Sequence, residues 1–201
     1  MTAGVLAVVG TLADPVPQAS GEELVRAYAE NPDRVQIKSV AYHFSYALWL
    51  VTVFPLVGVV RRRGGWLANV AGALAFLGIS TIPGFLVADF VDSAMGRIVG
   101  PEAAVRVGDL AQQGWGFKVI QVPGLLGFLL ALPVAALAAW RAGVLPWWAF
   151  VAPTLGIAAF MGFGATLPGN ILLTVAFAVF SLALSKVDFG RSEPELASAQ
   201  Q

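Results

Sequence analysis

The chain has 201 residues, of which 58% are apolar and 12% charged, with a mean hydropathy of +0.77. A soluble domain carries about 25% charged residues, so half of the usual charge is missing and the solvent of this chain is largely lipid. Twelve basic and twelve acidic residues leave no net charge, and scattered basic residues disfavour nucleic acid as a partner. The absence of cysteine excludes disulfides, thiolate nucleophiles, iron–sulfur clusters and cysteine zinc sites.

The stretch Met1 to Ala13 is apolar but, at 1.5 Å per helical residue, reaches only about 20 Å. It reads as a signal peptide, a re-entrant or interfacial segment, or a first span shortened at its start. No basic residue opens it, which favours the short span. Next, Ser20-Gly21-Glu22-Glu23 predicts a capped surface helix, with Glu22 and Arg26 four apart and Asn31-Pro32 ending it. Charge gaps then place the long spans. Twenty-two uncharged residues separate Lys38 from Arg61, 25 separate Arg63 from Asp89, 22 separate Lys118 from Arg141, and 44 separate Arg141 from Lys186. The last gap is divided by Thr166-Leu167-Pro168-Gly169-Asn170. A helix needs about 20 apolar residues to cross a bilayer. Five spans follow, about Val40 to Val60, Trp66 to Ala88, Val119 to Trp140, Trp147 to Ala165 and Ile171 to Ser185. Continuous rather than alternating apolar runs favour helices over a barrel. Between the third and fourth of the six spans, Pro101 predicts the first turn of a second surface helix, with Glu102 paired to Arg106.

The expected fold is thus all-α: a polytopic transmembrane bundle of five spans plus a short amino-terminal sixth, with two extracytoplasmic surface helices. It forms one domain, residues 1–186, followed by a disordered cytoplasmic tail, 187–201. Arg61, Arg62, Arg63 and Arg141 supply four basic residues in the eleven positions of two short connections, against six in the 55 positions of segments 14–38 and 89–118. The positive-inside rule puts the arginine loops and the carboxyl terminus in the cytoplasm.

The two surface segments coincide at an offset of 80, Glu22 with Glu102, Val25 with Val105 and Arg26 with Arg106, followed by Lys38 with Lys118 and Arg61 with Arg141. A second likeness relates Trp66 through Leu74 to Trp147 through Leu155. Together they suggest three parallel helical hairpins; recurrence of basic residues at membrane edges would produce the same pattern.

Polar residues near the outer boundary are the site candidates: His43, Asp89, Asp92, Lys118, Gln121 and Asn170. His43, the single histidine, rules out a bis-histidine haem within one chain. It is either a relay group or ligand, or part of an aromatic belt at headgroup depth with Tyr42, Tyr46 and Trp49. Asp89 and Asp92, three apart, share a helix face if the span continues past Pro83-Gly84, and could then hold a cation or exchange a proton. The same spacing also occurs at any solvated helix end.

Thr52, Asn69, Ser80, Thr81, Thr154 and Thr174 read as packing groups. Gly156, Gly162 and Gly164 lack the four-residue step of a tight helix pair, and Gly10, Gly58, Gly72 and Gly78 stand isolated. Prolines 55, 83, 123, 133, 153 and 168 bound or kink the helices. No phosphate loop, nucleophile elbow or zinc-protease motif occurs, and no cofactor or metal is expected.

With Asn31-Pro32-Asp33 closing an acidic surface helix, Arg61-Arg62-Arg63 closing an aromatic span and alanine-rich later spans, the chain resembles small six-span bacterial integral membrane proteins of unknown function. The resemblance implies a plasma-membrane location and carries over no functional residue. The expected function is a non-enzymatic multi-pass module that binds a lipid or small hydrophobic ligand or assists a membrane-protein partner, with a homo-oligomer compatible. The alternatives are a small permease or channel using Thr52, Ser80, Thr81 and Thr174, and a membrane enzyme using His43, Asp89 and Asp92.

Overall fold

The structure is a computed structural model that describes residues 2–60 and 64–187. The arginine triplet at 61–63 and residues 188–201, nearly all of the expected tail, lie outside the described residues. Everything regular within them is helical: α1 (Thr2–Ala13), α2 (Gly21–Glu30), α3 (Pro32–Val51), α4 (Val53–Val59), α5 (Gly65–Phe85), α6 (Val87–Ile98), α7 (Pro101–Gln113), α8 (Trp115–Arg141), α9 (Trp147–Phe163) and α10 (Leu167–Leu184).

Four helical stretches are long and apolar enough to cross a membrane: Pro32–Val59, made of α3 and α4, Gly65–Ile98, made of α5 and α6, Trp115–Arg141 and Leu167–Leu184. The helices α1 and α9 are apolar but shorter, 12 and 17 residues. Several helices overrun the limits expected from charge gaps. Pro32 opens α3 eight residues before Val40, and α6 carries the helical path beyond Asp89 and Asp92.

Prolines end helices selectively. Pro55 cannot donate to the carbonyl four residues back, and its ring crowds that carbonyl; the chain accordingly breaks at Thr52, whose hydroxyl donates to Trp49 O at 2.5 Å. Past Pro83, the helix tightens at Leu86, whose N–H donates to Pro83 O at 3.3 Å, and resumes as α6. By contrast, Pro123, Pro133 and Pro153 lie inside uninterrupted helices.

The bundle is held together most closely between α5 and α8. Gly64 faces Ala138, Gly78 faces Gly127 and Phe128, and Gly124 faces Thr81, so the two helices run antiparallel with their backbones nearly touching. A Cβ on Gly78 would lie 2.9 Å from Phe128 N. Ala71, Ala75, Ala131 and Ala135 continue the seam, fully buried. Small residues suit helices apolar enough to cross a membrane, because within a bilayer the hydrophobic drive for helix association is gone and close packing supplies it. Gly78 is therefore not isolated, as its own helix suggests: its small partner is on another helix.

Small residues also seat α1. A Cβ on Gly4 would lie 2.7 Å from Thr174, and one on Gly10 would lie 3.1 Å from the Tyr42 ring. Arg34 closes the end of α1, its guanidinium donating to the carbonyls of Ala13 at 3.2 Å and of Leu12 and Asp14 at 3.3 Å. A cation there satisfies orphan carbonyls and complements the helix dipole.

The amphipathic pair α2 and α7, related by the offset of 80, pack against each other and against α6. Pro101 does open α7, and Glu102 meets Arg106 at 3.4 Å. Ser20 holds the cap position of α2 in extended backbone, yet its hydroxyl makes no capping bond.

Candidate functional site

A buried ion pair joins α2, α3 and α6. Pro32 starts α3 directly after α2 ends, which brings the Tyr28 ring back against the first turns of α3. There the Lys38 ammonium lies 3.1 Å from Asp89 Oδ2 and donates to the Tyr28 hydroxyl, while Ser39 Oγ donates to the same carboxylate oxygen at 2.6 Å. On the next turn of α6, Ser93 Oγ donates to Tyr28 O at 2.8 Å. The Lys38 side chain is only 7% exposed and that of Asp89 19%. The Tyr28 and Ser39 hydroxyls add hydrogen bonds to a pair this dry; removing one partner would strand a charge. Burial, then the nearby Asp89 charge, pushes the Tyr28 hydroxyl far above the ordinary phenol range, so Tyr28 stays neutral.

A second polar knot, free of charge, joins α1, α3 and α10. Thr11 Oγ1 donates to Ala7 O at 2.9 Å, so its hydroxyl accepts from Asn170 Nδ2 at 2.8 Å and from Tyr42 at 2.9 Å. Asn170 is fully buried, and its Oδ1 has no partner among the described residues. Tyr42, Tyr46 and Trp49 form no lipid-facing belt: they are 2%, 8% and 2% exposed. Trp49 packs on Phe128 and Phe177, with ring centroids 4.4 and 4.8 Å away, beside a cavity of about 40 Å³.

A larger groove, about 540 Å³, opens between α2, α6, α7 and α8. From α6 it takes Ala88, Val91, Asp92 and Met95, one helical stripe. Leu24 and Val25 of α2, Val105 and Gly108 of α7 and Phe117 of α8 supply most of the apolar wall. Asp92, Asp109, Gln112 and Gln121 are its strongly polar side chains. Cavities of about 300–1,000 Å³ with apolar walls and a few polar groups suit small ligands.

The six residues expected at one site therefore part company. Asp89 turns to Lys38, whereas Asp92 turns to the groove, joined there by Gln121. The His43 ring, half-buried on α3, lies with Nδ1 3.0 Å from Pro83 O; a carbonyl only accepts, so Nδ1 carries the hydrogen. Asn170 is interior and Lys118 is exposed on α8. Tyr28, Ser39 and Thr11 do not figure in the expectations above, Tyr42 stands there only as part of an aromatic belt, and Lys38 only as the edge of a charge gap. The usable signal was the apolar face of α2, on which Val25 and Tyr28 stand three apart.

Of the four hydroxyls considered for a permeation path, Thr52, Ser80 and Thr174 donate to backbone carbonyls, and Thr81 packs against Gly124. Ser80 and Thr154 donate to carbonyls three and four residues back, as Thr52 does. Thr174 donates to Asn170 O at 2.6 Å and Gly4 O at 3.1 Å, and Thr52, Asn69 and Ser80 are exposed. No family model, curated protein or solved structure matches this chain.

Proposed function

We propose that this chain is a six-span bacterial plasma-membrane protein, non-enzymatic, that binds a small hydrophobic ligand in the groove between α2, α6, α7 and α8. In this reading α1 and α9 complete the set of crossings. At 1.5 Å per residue α9 reaches about 25 Å and α1 about 18 Å, so α1 would need local bilayer thinning. The arginine connections and carboxyl terminus face the cytoplasm by the positive-inside rule, which leaves α2 and α7 on the outer surface over the groove.

The observation that carries the reading is the groove itself, an apolar cavity of ligand size whose polar groups are few. The absence of a converging acid–base set around His43 weakens the enzyme alternative, and the locally bonded hydroxyls weaken the permease. The test is binding of the uncharged fluorophore N-phenylnaphthylamine by purified protein in phosphatidylcholine nanodiscs. Gly108 lines the groove, and a Cβ there meets nothing within 4 Å, so Gly108→Trp fills the space without a clash at its root. Saturable binding lost in that variant supports the site. Equal signals from the variant, the parent and empty nanodiscs reject it. Because the parent has no cysteine, single Glu22→Cys and Arg141→Cys variants report the two faces separately by labelling with an impermeant maleimide in intact cells. Labelling at Glu22→Cys alone is the expected outcome, and the reverse pattern overturns the orientation.

A further inference from the structure

Resting on the groove reading above, the geometry points to the chemical class of its ligand: a free amphiphilic amine, with an alkyl or aryl body and one protonated nitrogen. The groove is lined by two carboxylates, Asp92 and Asp109, and by no lysine, arginine or histidine. Among the described residues neither carboxylate belongs to an ion pair. Neighbouring cations stand outside the lining: Lys38 is held by Asp89, Arg106 meets Glu102 on the surface, and Arg26 and Lys118 are exposed.

Asp92 is half-buried and stands in the middle of the apolar stripe of α6, so a ligand that fills the groove desolvates it. A neutral ligand would leave that carboxylate buried without a partner, and an anion would add repulsion. An ammonium group instead gains a charge-assisted hydrogen bond to Asp92. The Gln112 and Gln121 amide oxygens can take its remaining N–H groups, and the Phe117 ring offers a cation–π face. Asp109, exposed at the rim, attracts the cation during approach. A bare metal ion fits less well: no cluster of three or more metal-ligating side chains exists among the described residues, and apolar walls offer a hydrated ion nothing. A two-chain phospholipid exceeds the volume.

The experiment compares phenylbutylammonium with the isosteric phenylbutanol by calorimetric titration into the full-length protein in phosphatidylcholine nanodiscs, after subtraction of empty discs. The ammonium is expected to bind about tenfold or more tightly than the alcohol, the size of one charge-assisted bond. Asp92→Asn should abolish that preference while leaving alcohol binding unchanged, and Asp109→Asn, fully on the surface, should slow association of the ammonium alone. Equal affinities for both compounds, or a preference that survives Asp92→Asn, overturn the amine assignment but leave the groove as a ligand site. Binding of neither compound, or binding unaffected by Gly108→Trp, rejects the groove reading as well. If phosphatidylethanolamine discs abolish ammonium binding, the ligand is a lipid headgroup rather than a free amine and the assignment falls.

Discussion

Along α5 and α8, alanine and glycine bring two backbones together until no space is left between them; around Asp92, α6 and α8 stand apart and leave about 540 Å³ open. The difference lies in side-chain size. Gly78 and Gly127 add nothing to the helix radius, whereas Val91 and Met95 of α6 and Phe117 of α8 line the space between those two helices; α2 meets α6 closely only further along, where a Cβ on Gly96 would lie 2.8 Å from Val25 Cγ1. A seam of small residues gains dispersion contacts over its whole length and tolerates no insertion. A spaced junction gives up those contacts and acquires room for a ligand.

The largest effect should come from closing the seam with bulk. Gly127→Leu drives a side chain into the Leu74 carbonyl and the Gly78 backbone of α5, so a loss of about 3 kcal/mol or more is expected. It is measured by the yield of monodisperse protein and by reversible unfolding in mixed micelles. Native-like stability would show that the seam can part cheaply. Lys38→Met comes next, at about 3 kcal/mol, because it strands Asp89 in a site where its remaining hydrogen bond comes from the Ser39 hydroxyl. The double variant Lys38→Met/Asp89→Leu should recover most of that loss; failure to recover would mean that the ion pair contributes more than an apolar replacement.

Arg34→Ala tests the end of α1. It removes an exposed guanidinium from three carbonyls, and a cost of about 0.5 kcal/mol is expected, with faster amide exchange confined to α1 and its following turn. Gly108→Ala should act in the opposite sense, stabilising α7 by about 0.5 kcal/mol, because the added methyl meets open space within a helix. A destabilised Gly108→Ala would show that the groove is narrower than it stands here.

The helical layout was largely legible before the structure. Lys38, Asp89, Lys118 and Arg141 mark where apolar runs stop, and Pro101 begins a helix where a missing N–H costs nothing; Pro32, legible only as the end of α2, also opens α3. The candidate site was not. Asp89 and Asp92 are three apart, which suggests joint action, but three residues turn a helix by about 300°, enough for α3 to take one and the groove the other. Asn170 looks like a boundary amide from its place before the last span, yet α1 and α3 cover it with Thr11 and Tyr42. Neither partner is close to it in the chain.

Sequence by itself determined what depends on composition and local stereochemistry: an apolar chain, helices rather than strands, the ends of α2 and the start of α7. Helices close their backbone hydrogen bonds within each segment, as a bilayer demands of any span, so those features follow from short stretches alone. Only the tertiary structure decided that Lys38 meets Asp89, that Gly78 meets Gly127, and that Asp92 opens onto a cavity. Each of these depends on how one helix is rotated against another, and that rotation is set by the packing of several helices at once.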